Sequence, residues 1–109
     1  MWIFTETGFV SAVVHRDDPD TIIARARDAR SLEELGARSG SEVTYTPDAD
    51  YHHRVSVSRV EFQAWLSESV STMDYPNFKD RVHETREPAF LDALYEVWGA
   101  MHRYQSDDD

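Results

Sequence analysis

Between Tyr51 and Met73 the spacing of apolar residues changes from two to the helical period, and this change ties the chain to a fold that joins a sheet to helices. Tyr51, His53, Val55 and Val57 alternate with His52, Arg54 and Ser56, the period of a strand with one buried face. Ser58-Arg59-Val60-Glu61 then spells a capping box, with Val57 and Phe62 at the positions of a hydrophobic staple. Beyond it Phe62, Trp65, Leu66, Val70 and Met73 recur as a single helical stripe. The strand end, the cap and the helix start all agree on one junction.

The segments on either side extend the pattern. Trp2–Thr5 and Phe9–Val14 are rich in β-branched and aromatic residues and read as strands, with Thr7-Gly8 as the tight turn between them. Pro19 closes the polar loop that follows. From Thr21 to Arg27 the chain alternates again, Ile22, Ala24 and Ala26 on one face and Ile23, Arg25 and Arg27 on the other. Ser31-Leu32-Glu33-Glu34 is a second capping box, opening a short helix that turns Leu32 and Leu35 inward and stops at Gly40. Val43–Thr46 is a further strand, and Pro47–Asp50 the turn into the strand at Tyr51. After Met73 come a short helix from Pro76 to near Arg86 and a last helix from Pro88. Phe90, Leu91, Leu94, Trp98 and Met101 form its expected inward face, widened by Val97 and Tyr104, with Trp65 and Trp98 both read as core. The predicted class is α+β: an antiparallel sheet of about five strands with helices packed on one face, a two-layer sandwich. Residues 1–105 are expected to form a single domain, and 106–109 a disordered acidic tail.

Asp74-Tyr75-Pro76-Asn77-Phe78-Lys79 contains the only asparagine and the only lysine of the chain. All other positive side chains are arginine, the bias of GC-rich codons, so both residues in one short stretch point to a specific use. Proline fixes its own φ and pushes Tyr75 out of the helical region, which predicts Tyr75 as N-cap and Pro76 at the first helical position. Asn77 and Lys79 then fall on the first turn, with Phe78 and Val82 as the inward pair. Tyr75, Asn77 and Lys79 are the candidate partner-binding residues. The alternative is a helix corner with Phe78 as a core plug and Lys79 solvated.

Charge and missing motifs narrow the function. A formal net charge of −10 argues against a nucleic-acid backbone as partner, since that needs a basic surface. There is no cysteine, hence no disulfide or thiolate chemistry. The N-terminal residues do not form a signal peptide and no apolar run reaches membrane-spanning length, so a cytoplasmic protein without a membrane partner is expected. Of the five histidines, His52 and His53 are adjacent on a strand and point to opposite faces, and no zinc-helix spacing is present, so no metal site or cofactor is assigned. A Gly-x-Ser-x-Gly elbow, a phosphate loop and a dinucleotide fingerprint are all missing, which gives a non-enzyme.

In this acidic chain Arg25, Arg27, Arg54 and His52 are expected to project together from the sheet face away from the helices, a local reversal of sign. Guanidinium forks suit phosphates and carboxylates, so these four are the candidate anion-binding residues. The alternative is cross-strand ion pairing with Glu6, Glu42, Asp28 and Asp48.

Trp2-x-Phe4-Thr5 with Gly8-Phe9-x-Ser11, Arg25-Ala26-Arg27-Asp28, Thr46-Pro47 with Asp50-Tyr51, the Asp74–Lys79 stretch, and Ala93-Leu94-x-x-Val97-Trp98-x-x-Met101 form an ordered series. It resembles a family of short uncharacterised proteins of bacteria and actinobacterial phages. The resemblance spans most of the chain and implies a phage or high-GC bacterial origin, but no activity or catalytic residue. His52-His53 departs from the Tyr-Pro-type continuation expected after Asp50-Tyr51. Two readings follow. One is a small non-enzymatic interaction or regulatory protein, phage-encoded and acting on a host or phage protein. The other is a binding module for a phosphorylated or nucleotide-like small molecule on the arginine face. A homodimer, built on the wide apolar last helix, is compatible with either.

Overall fold

The computed structural model describes residues 1–106. Along the chain it runs β1 (Trp2–Thr5), β2 (Gly8–Val14), β3 (Thr21–Ala26), α1 (Arg30–Ser39), β4 (Thr44–Tyr45), β5 (His53–Ser58), α2 (Arg59–Ser71), α3 (Phe78–Thr85) and α4 (Pro88–Ser106). The class is α+β, with one antiparallel five-stranded sheet of order β1-β2-β3-β5-β4. The chain divides into two compact units, Met1–Asp74 and Tyr75–Asp109. Ser106 ends α4, while the expectation of a disordered tail at Asp107–Asp109 falls outside the described residues.

In the first unit the strand periodicities translate directly into burial. Ile22, Ala24 and Ala26 of β3 and Val55 and Val57 of β5 are buried on one sheet face together with Val10 and Ala12 of β2. Leu32 and Leu35 of α1 and Phe62 and Trp65 of α2 complete this core, so both helices cover the same face. Each fully buried Val or Leu there contributes about 1.5–3 kcal/mol by leaving water. The α2 stripe outruns the core: Val70 and Met73 are exposed.

Several local expectations are corrected. Thr5 pairs with Gly8, so the β1–β2 turn is Glu6-Thr7 and Gly8 already belongs to β2. The strand expected at Val43–Thr46 contracts to two residues, because Val43 packs against the core instead. Gly36 of α1 accommodates it: a Cβ there would meet Val43 Cγ2 at 3.0 Å. Tyr51 and His52 lie in a bend before β5 rather than on the strand.

The two capping boxes behave differently. At α2 the Ser58 hydroxyl accepts the Glu61 amide (3.1 Å), the first half of the box, while the Glu61 carboxylate takes the Ser58 hydroxyl (3.0 Å) rather than the Ser58 amide. At α1 the helix begins earlier, at Arg30, and Asp28 Oδ1 accepts the Ser31 amide at 2.9 Å. Ser31 is thereby inside the helix, where its hydroxyl accepts the Phe9 amide of β2 at 3.2 Å and ties helix to sheet. Gly40 closes α1 in the left-handed region (φ 68°), as expected. In the loop before β3, Asp18 accepts the Thr21 hydroxyl (2.7 Å) and the Asp20 amide (3.0 Å), bonds that hold its carboxyl below the ordinary range.

The second unit holds α3 and α4. Asn77, not Tyr75, is the N-cap of α3: its backbone is extended and its side-chain oxygen accepts the Asp80 amide at 3.0 Å. A tyrosine offers no acceptor to an orphan helix amide at that position, whereas asparagine is among the best caps. The helix therefore starts at Phe78, two residues later than expected. Val82 is fully buried. At the α3–α4 corner Arg86 is buried, donating from Nε (3.1 Å) and Nη2 (2.9 Å) to Glu87 and lying 4.0 Å over the Phe90 ring.

Candidate functional site

One candidate surface lies on the sheet of the first unit. Register aligns Trp2 with Ser11, Ser11 with Arg25, Arg25 with Arg54, and Arg54 with Thr44. Because side chains alternate, this row occupies the face opposite Val10, Ala24 and Val55. Arg25 Nη2 donates to the Ser11 hydroxyl at 2.8 Å, and its guanidinium lies 4.8 Å from the centre of the Tyr51 ring. Arg27 lies over the same ring at 4.1 Å and donates from Nη1 to the Asp50 carbonyl (2.8 Å) and carboxylate (3.1 Å). That carboxylate raises the pKa of Arg27 above its ordinary value.

The four candidate anion-binding residues thus separate. Arg25 and Arg54 oppose each other directly, and neither forms an ion pair among the described residues. The Nε of each is buried without a hydrogen-bond partner. Arg27 has its counter-ion, but in Asp50 rather than in Glu6, Glu42, Asp28 or Asp48. His52 is exposed, its ring edge-on to Tyr45 at 6.3 Å. Tyr51, placed by periodicity on the inward face of a strand, is instead buried beneath two guanidiniums. An aromatic next to His-His before an arginine strand was the available signal, and the strand reading masked it.

A second candidate surface lies on α3 and α4. Lys79 Nζ sits 4.5 Å from the centre of the Trp98 ring and 5.1 Å from that of Tyr95. Trp98 in turn stacks on His102, with ring centres 5.0 Å apart and planes 6° from parallel. Tyr75 lies 5.9 Å from Phe78 and beneath the Arg81 guanidinium at 5.3 Å. Tyr75, Asn77 and Lys79 therefore have three different local roles: ring packing, capping and cation–π contact.

The inward face expected of α4 is largely outward. Leu94 is buried, but Trp98 is 52% exposed, Met101 60% and Tyr104 69%, with Tyr95 and Val97 also exposed. The reason is length. At about 1.5 Å per residue, the 19-residue α4 is far longer than the 8-residue α3 beside it, which can cover only its first turns. The remaining stripe borders a depression lined by Trp98, Met101, His102, Tyr104 and Gln105.

Among the described residues no three His, Asp or Glu side chains are grouped to hold a metal ion, and no helix is long and apolar enough to cross a membrane. Compared with protein-family models, with curated proteins and with solved structures, the chain matches none.

Proposed function

We propose that this is a non-enzymatic interaction protein that engages a partner protein through the exposed face of α4. The observation that carries this reading is the stripe Val97, Trp98, Met101 and Tyr104, which recurs at helical spacing and faces water. Large contiguous apolar patches are uncommon on surfaces that do not bind, and tryptophan and tyrosine are the residue types that anchor interfaces. The spacing suits a helix laid into an apolar groove of the partner. Lys79, the one lysine of the chain, adds a cation at the rim of the stripe, which favours a groove with a carboxylate at its edge. A phage origin and a host protein as partner rest on the motif resemblance alone.

The test is capture from an actinobacterial extract by wild type and by Trp98→Ala and Met101→Ala variants, with sedimentation velocity run on the same samples. A partner retained by wild type and released at least tenfold more readily by both variants supports the reading. Retention unchanged in both variants removes α4 as the binding face. A concentration-dependent dimer abolished by the same substitutions would make the partner a second copy of the chain.

A further inference from the structure

We propose a second, independent site: Arg25 and Arg54 form a receptor for one phosphoryl group on the outer face of the sheet. Directly opposed residues of an antiparallel pair have Cα atoms about 4.5–5.5 Å apart, so both guanidiniums can address one tetrahedral anion. Like charges directly opposed across a sheet are destabilising. A sheet that needed only solubility at these positions would be better served by an arginine facing a carboxylate. The chain has many carboxylates, with 21 Asp and Glu residues, and one of them is set against Arg27. None is set against Arg25 or Arg54 among the described residues.

Arg25 is also held in place. Ser11, itself buried, fixes one nitrogen of Arg25, and the Tyr51 ring lies against the same guanidinium. Both side chains are partly rather than fully buried, and the Nε of each lies buried without a hydrogen-bond partner. A fork oriented by ring and hydroxyl loses little freedom when it binds an oxyanion. Two adjacent forks offer more donors than a two-oxygen carboxylate can accept, and their double charge matches a dianion, so a phosphoryl group is the fitting ligand. Its source is either free phosphate or a nucleotide. In the second case Trp2, exposed and two strands from Arg25 in the same row (about 10 Å), offers a ring for the base.

Thermal unfolding at matched ionic strength tests this, in sodium chloride, in sodium phosphate and with added adenosine monophosphate. Phosphate is expected to raise the midpoint of wild type and of Arg27→Gln over chloride by about 4–8 °C more than it raises that of Arg54→Gln. Comparing the variants removes the general salting effect of phosphate. A larger rise with the nucleotide that Trp2→Ala abolishes assigns a nucleotide; equal rises assign the phosphoryl group alone. In chloride, Arg54→Gln should melt at or above wild type, since it relieves an uncompensated like-charge pair. The site is overturned by equal midpoints of wild type in phosphate and chloride, by a phosphate rise in Arg54→Gln equal to that of wild type, or by an Arg54→Gln protein that melts well below wild type in chloride.

Discussion

Asn77, singled out by its rarity as a candidate for partner binding, has a local role in the structure as the cap of α3. Its rarity in the composition marks a residue whose identity matters, and the structure supplies a local reason in the bond from the Asp80 amide. Replacing a cap by alanine costs about 1 kcal/mol, whereas aspartate caps as well as asparagine. Asn77→Ala should therefore lower the unfolding free energy measured in urea by that amount, and Asn77→Asp should leave it nearly unchanged. Equal losses in both variants would show that the amide nitrogen, and not the capping oxygen, is what the position requires. Lys79 is a separate case. Its contacts with Tyr95 and Trp98 are surface cation–π contacts worth about 0.5–1 kcal/mol, too little to make it a structural anchor. At this scale the geometry of the notable residues is not legible in the sequence. Neither ring over a cation nor Arg25 facing Arg54 follows from spacing, because each depends on which strand or helix lies alongside.

Elements were legible where two local signals agreed. The β5–α2 junction combines alternation, a capping box and a staple, and Ser58 is the N-cap with Arg59 the first helical residue, where those signals put them. At α1 a single signal misled. Ser31 and Glu34 have the right spacing, yet Asp28 lies three residues earlier and presents a carboxylate to the positive end of the same helix. Asp28→Ala should cost about 1 kcal/mol in chemical unfolding, and Glu34→Ala, on an exposed position, less than about 0.5. The reverse ranking would restore the Ser31–Glu34 box. The helix α4 illustrates the opposite limit. A stripe at helical spacing records which residues share a face, and it says nothing of whether a neighbour is long enough to cover that face.

For the whole molecule, the period-two and helical segments in their order were enough to give the α+β class and the antiparallel sheet. Strand order was beyond them, since β5 sits between β3 and β4 and this long-range choice leaves no local mark. Function follows the same division. The features that point outward are those left over when core, caps and counter-ions have been assigned: an aromatic stripe on α4 and an uncompensated arginine pair in a chain of net charge −10. The central claim is that the α4 stripe is a surface for binding and not a part of the core. Thermal melting of the double variant Trp98→Gln, Met101→Gln tests it most directly. Exposed positions tolerate such changes, so the midpoint should stay within about 5 °C of wild type while partner capture is lost. A fall of more than about 10 °C, the consequence of removing a tryptophan and a methionine from a packed interior, would contradict the account and return the stripe to the core.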